Sequence, residues 1–331
     1  METKALQADI KNGQLKRVYL LYGDERYLVS YYANALGEGC DKDVFDGNAP
    51  PAEIILAAEA FPFLAEKRAV YIRESKLFAP SKKDEGNATG KSNAETLANF
   101  LPNIPEDTIL IFIETDVDKR VRLYKKVAEI GRAVDCAPLA APDLSRWVMK
   151  KFREKGKTVA PAVAEQLMRF SAHNMTALVT EIDKLIAYAG QRPSIEAADI
   201  NELCTPTLQT RVFDLLAAMG KGNTGNALTL YSNMLHMKES PFMILAMLIR
   251  QFRILLQCKC ANDKKIPRAS MAGEFGLRPF MIDEALSQAK RYTTERLVNA
   301  LADCQDTDLR IKTGRVDAEL GVEMLIVSYT L

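Results

Sequence analysis

Three features that would place a sequence in a broad class are absent from this one. No two of its six cysteines have C-x-x-C spacing, so neither a disulfide framework nor a zinc site is indicated. The longest uninterrupted apolar stretch, Pro241 to Ile249, is far shorter than the roughly 20 residues that cross a bilayer, and the N-terminus opens with mixed charge rather than a signal peptide. The net charge of +1 argues against tight nucleic-acid binding by the chain alone. These absences predict a soluble intracellular protein that does not associate with membranes.

Recognisable catalytic groups are lacking as well. Both histidines, His173 and His236, stand apart from any Ser, Cys or carboxylate at a spacing typical of a triad or a metal site. We therefore expect no catalytic residue, no bound metal and no cofactor.

The first apolar strand, Val18–Tyr22, runs into Gly23 and then a helical pattern, which is where a phosphate-binding loop stands in a P-loop ATPase. Such a loop has the spacing G-x-x-x-x-G-K-[ST], because consecutive backbone N–H groups and one lysine must converge on the phosphates. Gly23 alone cannot supply that arrangement. The sequence thus resembles an ATPase scaffold that has no means of holding ATP.

Two other segments resemble parts of a nucleotide site. In residues 86–92, GNATGKS, only three residues separate Gly86 from Gly90 where the motif needs four, and no strand leads into the segment. Residues 81–93 are instead predicted to be an exposed polar loop. Residues 111–114, IFIE, resemble a Walker B strand, but without a lysine loop we expect Glu114 to lie at the solvated end of a strand.

The pattern from Val18 to Cys136 alternates between short β-branched or aromatic runs and helical stretches, as a parallel sheet with covering helices requires. We therefore predict an α/β first domain at 1–140. Its predicted strands are 18–22, 43–45, 68–72, 108–113 and 133–136, and its predicted helices are 27–36, 52–60, 94–101 and 119–130.

After Pro138 the sequence predicts only helices, with a small helical domain at 141–208 and a second helical domain at 209–331. The fold class is thus multidomain, α/β followed by all-α. The closing helix, 320–329, is apolar almost all round, so we expect neighbours on every side, in a packed bundle or an oligomer collar. An amphipathic helix before it carries one apolar stripe: Phe242, Leu245, Leu248, Ile249, Phe252, Leu255 and Leu256.

Positive charge is concentrated between residues 119 and 126. Five basic side chains fall within just over two predicted helical turns: Lys119, Arg120, Arg122, Lys125 and Lys126. They could contact DNA phosphates or an acidic partner, or they could form a solvated helix face.

Residues 61–64, Phe61-Pro62-Phe63-Leu64, place three large apolar side chains around a proline just before a predicted strand. Loops normally avoid this composition. The side chains either cap the core of the sheet or project from the domain as anchors that fill a partner's pocket. Spacing alone does not decide between the two.

These residues and several ordered motifs together resemble the delta subunits of bacterial DNA polymerase III, a clamp-loader family. The resemblance covers nearly the whole chain, and the order and spacing of the motifs make it specific. The motifs are VYLLYGDE at 18–25, FLAEKR at 63–68, DKR at 118–120, LYK at 123–125, EIDKL at 181–185, VFDL at 212–215, RQFR at 250–253 and DLRIKTG at 308–314.

The resemblance implies an AAA+-like first domain that neither binds nor hydrolyses ATP, a helical lid and a collar that joins a pentamer. The implied partners are the sliding clamp (the beta subunit), tau or gamma subunits, delta-prime and primed DNA, in the cytoplasm at the nucleoid-associated replisome. The family's clamp-binding pair falls here on Phe63 and Leu64. Because Phe61 and Pro62 add bulk to the segment, which two of Phe61, Phe63 and Leu64 enter the clamp stays open.

Two other function classes remain open on the sequence. A nucleotide-hydrolysing enzyme would use Lys91 and would turn over ATP. A stand-alone DNA-binding protein would use the basic segment from Lys119 to Lys126 and would bind DNA with steep salt dependence.

Overall fold

The computed structural model of the chain describes residues 2–79 and 88–330. The chain forms two compact units, Met1–Pro138 and Leu139–Leu331. The division into three domains at residues 140 and 208 remains a prediction.

A five-stranded parallel sheet organises the first unit, in the order β2-β3-β4-β1-β5. This sheet and the helical region that follows it confirm the predicted fold class. The strands are β1 (Val18–Tyr22), β2 (Asp41–Asp46), β3 (Arg68–Arg73), β4 (Thr108–Glu114) and β5 (Arg132–Asp135). The helices are α1 (Glu2–Asn12), α2 (Arg26–Leu36), α3 (Pro51–Glu59), α4 (Ala88–Phe100) and α5 (Arg122–Ile130), with a 3₁₀ turn at Leu101–Asn103.

Two helices of this unit depart from the predictions. Helix α1 was not predicted because it buries only Leu6 and is held to β5 mainly by the ion pair of Asp9 with Arg132 (2.7 Å). Helix α5 begins at Arg122 instead of residue 119. The Asp118 carboxylate accepts the N–H of Arg120 (2.9 Å), which favours a turn over a helix at this point.

Because all strands are parallel, their carboxyl ends meet at one edge of the sheet and their amino ends at the other. Gly23 follows β1, Ser75 follows β3 and Cys136 follows β5, so these residues lie at the carboxyl edge. The loop of residues 60–67 enters β3 at the amino edge, beside the start of β2. The position of a phosphate loop and the Phe61 to Leu64 segment are therefore on opposite edges of the sheet.

The second unit is mainly helical. A two-residue parallel ladder, β6 (Thr158–Val159) with β7 (Ser194–Ile195), corrects the all-helical prediction, since strands this short carry no readable period. The helices are α6 (Ala141–Glu154), α7 (Pro161–Phe170), α8 (Met175–Ala189), α9 (Ala197–Leu203), α10 (Leu208–Met219), α11 (Thr224–His236), α12 (Pro241–Asp263), α13 (Arg268–Phe275), α14 (Pro279–Ala289), α15 (Thr294–Lys312) and α16 (Ala318–Tyr329).

Helix α12 is the central helix of the second unit and packs against α10, α14, α15 and α16. By length and composition it could cross a membrane, but its buried side chains form the core of this unit. The predicted stripe is correct at Leu245, Leu248, Phe252 and Leu255. It is wrong at Phe242, which is 47% exposed, because at about 100° per residue Phe242 lies about 120° around the helix from Leu248.

Within its own unit the closing helix is not surrounded by neighbours, so the packed-bundle alternative does not hold, and the oligomer-collar alternative stays a prediction. Helix α16 buries one face, including Val322 and Ile326, against the rest of the unit. About half of the side-chain surface of Leu320, Met324 and Val327 on its other face is exposed. Composition alone could not show that this helix lies at the surface of the unit.

Candidate functional site

The connection from β1 to α2, where a phosphate loop would stand, is short and packed against the chain. The N–H of Glu25 donates to the carbonyl oxygen of Cys136, with an N···O distance of 2.9 Å. Gly23 has a φ of +118°, and a Cβ atom there would lie 2.9 Å from the same carbonyl oxygen. The N–H of Glu25 is thus not available to a phosphate, and the main chain at Gly23 packs directly against Cys136.

Glu114 is buried, and the prediction that it lies at a solvated strand end was wrong. Its Oε1 accepts hydrogen bonds from the N–H (3.0 Å) and the hydroxyl of Ser75. Burial raises the pKa of this carboxyl group despite these bonds. Ser75 stands between Glu74 and Lys76, which both have positive φ, so the connection after β3 folds over the carboxylate. Glu114 therefore shapes a loop.

The other predicted nucleotide segment is only partly described. Gly86 and the rest of residues 80–87 lie outside the described residues. Gly90 and Lys91 lie in the first turn of α4, although a loop was predicted through residue 93. Neither residue follows a strand directly, as the motif requires.

The basic residues do not form the single helix face that was one interpretation of the sequence. Lys119 and Arg120 precede α5, whereas Arg122, Lys125 and Lys126 lie in it. Four of the five contact polar partners of their own unit: Lys119 with Asp135 (3.9 Å), Arg120 with Asp118 (2.8 Å), Arg122 with Asn99 (2.9 Å) and Lys126 with Glu129 (3.1 Å). A role in DNA or partner contact stays a prediction.

The loop of residues 61–65, called the anchor loop below, presents apolar side chains to solvent. Phe61 is 86% exposed, and Phe63 and Leu64 are each 87% exposed, while Pro62 is half-buried. These side chains therefore do not cap the core of the sheet. A large aromatic and a leucine side by side in water are unusual on a monomer surface and are typical of a binding site.

Two polar side chains of the neighbouring strands hold the main chain of the anchor loop. Oδ2 of Asp41 accepts hydrogen bonds from the N–H groups of Phe63 and Leu64, the latter at 3.0 Å. Nη2 of Arg68 donates to the carbonyl oxygen of Phe61 at 2.9 Å. Hydrogen bonds from the N–H groups of Leu64 and Phe63 hold the pKa of Asp41 below its usual range. The loop is thus fixed to the sheet while its side chains remain free.

Sequence reasoning missed Asp41 and Arg68. The predicted strand began at residue 43, and nothing in the local pattern connects Asp41 with residues more than 20 positions later. The available signal was the parallel pairing of β2 with β3, which places Asp41 opposite Arg68. That pairing is a tertiary feature.

His173 is partly buried in the second unit, against the ring of Phe280 at a centroid distance of 3.7 Å. Nη1 of Arg278 donates to its carbonyl oxygen. Burial, with the nearby Arg278 charge, lowers the pKa of His173 from 6.5 to about 4. These contacts indicate a role in packing.

We expect acid to destabilise the second unit through His173. Between about pH 6.5 and pH 4 the unfolded state binds the proton and the folded state does not, so stability present above pH 6.5 is lost as the pH falls. Allowing for partial exposure, the loss is about 1 to 2 kcal/mol. Urea unfolding followed by fluorescence of Trp147, the single tryptophan, measures it.

His173→Asn, which tolerates the φ of +56°, removes this part of the pH dependence. The exposed-residue variant His236→Gln keeps it, and an unchanged pH slope in His173→Asn contradicts the prediction.

Comparison with known proteins agrees with the resemblance noted in the sequence. The family model described as "DNA polymerase III, delta subunit" matches residues 19–137, and that described as "DNA polymerase III delta subunit, C-terminal domain" matches residues 209–329. The DNA polymerase III subunit delta of Bacillus subtilis (strain 168) is 25% identical over 329 residues, covering 96% of this chain and 94% of that protein. A probable DNA polymerase III subunit delta of Aquifex aeolicus (strain VF5) is 24% identical over 303 residues, covering 88% and 85%.

A solved structure shows the same fold along the whole chain. The Bacillus subtilis DNA clamp loader delta protein superposes with a TM-score of 0.84 at 23% identity, and the match covers 99% of each chain. Both compact units are therefore represented in the match. With the family models at both ends of the sequence, the chain belongs to the DNA polymerase III delta subunit family.

Proposed function

We propose that this chain is a clamp-loader delta subunit that binds and opens the sliding clamp, the beta subunit, for loading onto primed DNA, without hydrolysing ATP itself. The observation that carries the proposal is the anchor loop. It exposes Phe61, Phe63 and Leu64 almost fully while its main chain is tied to Asp41 and Arg68. Family membership supports the same activity.

The anchor loop has the physical properties of an interface hot spot. Burying a Phe or Leu side chain contributes about 1.5 to 3 kcal/mol, and a few such anchors dominate the affinity of most interfaces. Phe63 and Leu64 are the proposed pair, with Pro62 and Phe61 beside them. Because these side chains contact little of their own unit, nearly all of that apolar surface is available to the clamp.

Opening of the clamp needs no chemistry from this chain. A subunit that binds the opened ring more tightly than the closed ring shifts the ring's equilibrium by the difference in affinity. The closed connection at Gly23 to Glu25 agrees with such a role, since the N–H of Glu25 is used internally. Hydrolysis of ATP then belongs to partner subunits, which would expose or hide the anchor loop.

The finer partner assignments are also part of the proposal. Tau or gamma and delta-prime subunits would contact the second unit, whose helix α16 exposes Leu320, Met324 and Val327. The basic residues from Lys119 to Lys126 would contact primed DNA or a partner within the complex, through their combined positive field. The protein would act in the cytoplasm, associated with the nucleoid through the replisome.

A clamp-binding experiment tests the proposal directly. The purified full chain is passed over immobilised sliding clamp, alone and together with ATP-bound partner subunits. We expect binding in at least the second case, and release of clamps previously closed on nicked circular DNA. Absence of both binding and release contradicts the proposal.

We also predict that the purified chain does not turn over ATP, and that Lys91→Ala behaves as the unmodified chain. The physical reason is that the β1 to α2 connection uses the N–H of Glu25 internally and Lys91 lies in helix α4. Phosphate release by the chain alone measures this, with the assembled loader as the positive control. ATP turnover that Lys91→Ala abolishes would instead support the nucleotide-hydrolysing alternative.

A further inference from the structure

We propose that Asp41 and Arg68 are positioning residues that hold the anchor loop in its clamp-binding conformation before the clamp arrives. This inference rests on the proposed function and adds the groups that make the anchor loop effective. Neither residue contributes an apolar surface. Their role follows from which main-chain atoms of the loop they bind.

Asp41 fixes the side of the loop that carries the proposed anchor pair. One carboxylate oxygen accepts from two successive N–H groups, those of Phe63 and Leu64, which sets the orientation of both peptide planes. The directions in which the two side chains leave the main chain follow from those planes. Asp41 is itself held by the sheet, because its N–H donates to the carbonyl oxygen of Lys67 at 2.9 Å.

Arg68 fixes the other side of the loop. Its Nη2 donates to the carbonyl oxygen of Phe61 (2.9 Å) while its Nη1 binds the carboxylate of Asp43 on β2. Pro62, the one residue between the two attachment points, has its φ restricted by its ring. The main chain from Phe61 to Leu64 is therefore constrained from both ends and in the middle.

Such bracing matters because packing cannot orient side chains that are 86% to 87% exposed. A loop that is already ordered before binding loses little conformational freedom when it binds the clamp. A larger fraction of molecules is then competent to bind than if the loop were disordered. The bonds to the loop main chain lie at the surface and contribute little to global stability, whereas the ion pair of Arg68 with Asp43 is partly buried. Asp41 should therefore affect clamp affinity more than folding, and for Arg68 the urea midpoint is measured beside the affinity.

The test measures clamp affinity and association rate for the full chain with Asp41→Ala, Asp41→Asn, Arg68→Gln and the control Asp46→Ala. Asp46 lies on the same strand, is exposed and carries the same charge. We expect about 5- to 20-fold weaker binding for Asp41→Ala and Arg68→Gln, mainly through slower association. Asp41→Asn keeps an acceptor oxygen and should fall between Asp41→Ala and the unmodified chain. Asp46→Ala should bind as the unmodified chain does.

Two further readouts separate positioning from a general structural role. In the Phe63→Ala, Leu64→Ala background, Asp41→Ala should weaken binding no further, because the groups it positions are gone. Amide hydrogen exchange should rise at residues 63–65 in Asp41→Asn while the urea midpoint stays unchanged. If Asp41→Ala does not fold, Asp41→Asn carries the same test.

If Asp41→Ala and Arg68→Gln bind the clamp with unchanged affinity, the inference is overturned. It is also overturned if Asp41→Ala weakens clamp binding by the same factor in the Phe63→Ala, Leu64→Ala background as in the unmodified chain. A fall in affinity that tracks the urea midpoint also overturns it. If the unmodified chain fails to bind the clamp, the proposed function fails. If the unmodified chain binds and the Asp41 and Arg68 variants bind equally well, only this inference fails.

Discussion

Replacing Phe63 and Leu64 together with alanine is expected to weaken clamp binding by roughly 100- to 1000-fold. Each residue should cost on the order of 2 kcal/mol if it is a hot spot, and tenfold in affinity corresponds to about 1.4 kcal/mol. The double variant should fold normally, because both side chains are 87% exposed and contribute little to the core. Surface plasmon resonance with immobilised clamp measures the affinity.

Leu309→Ala serves as a matched control for this experiment. Leu309 is an exposed leucine on α15, so its truncation removes the apolar surface of one leucine that is not part of the anchor loop. Clamp binding by the isolated chain should not change. The single variants Phe61→Ala, Phe63→Ala and Leu64→Ala then identify which two side chains enter the clamp. Undiminished binding by the double variant would refute the assignment of Phe63 and Leu64.

The second large effect is expected on stability, from Phe252→Ala in the core of the second unit. Phe252 is buried in α12 and meets the rings of Tyr292 and Tyr329 at centroid distances of 6.4 and 6.2 Å, both in edge-on arrangements. Truncation leaves a cavity between α12, α16 and the connection before α15. We expect a loss of about 3 to 5 kcal/mol in the free energy of unfolding. Urea unfolding followed by Trp147 fluorescence measures it.

Phe242→Ala on the same helix provides the control for Phe252→Ala. Phe242 is 47% exposed in the first turn of α12, so its truncation creates no enclosed cavity. We expect it to cost less than about 1 kcal/mol. Equal losses for the two variants would contradict the assignment of Phe252 to the core.

Local patterns predicted the sheet well and the surfaces poorly. Each strand of the sheet was found within two residues at either end. Four of them are short, largely buried apolar runs bounded by turn residues, whereas the edge strand β2 has no buried side chain. Phe242 was wrongly included in the apolar stripe of α12, and the composition of α16 could not show which of its faces is exposed on its own unit. The prediction that Glu114 is solvated failed because its burial depends on Ser75, which is far away in the sequence.

In the candidate site, too, some features could be predicted from the sequence and others only from the structure. Phe61, Pro62, Phe63 and Leu64 were recognisable as unusual because a proline among large apolar residues does not suit a loop. Whether they projected or capped the core depended on how far the sheet's own core extends, which only the packed unit shows. Asp41 was beyond sequence reasoning because its contacts with the loop exist only after β2 pairs with β3, whereas Arg68 was noted only as part of a strand and of the FLAEKR motif.

By itself, the sequence determined that no phosphate loop follows the first strand, that an α/β region precedes a helical one, and that the chain resembles the delta subunit family. These properties depend on neighbouring residues, on spacing and on the order of motifs. Tertiary structure decided that the anchor side chains stand in solvent, that Glu25 and Cys136 close the β1 to α2 connection, and that Asp41 and Arg68 brace the anchor loop. Those properties depend on burial and on hydrogen bonds between residues that are distant in sequence and meet only when the sheet forms.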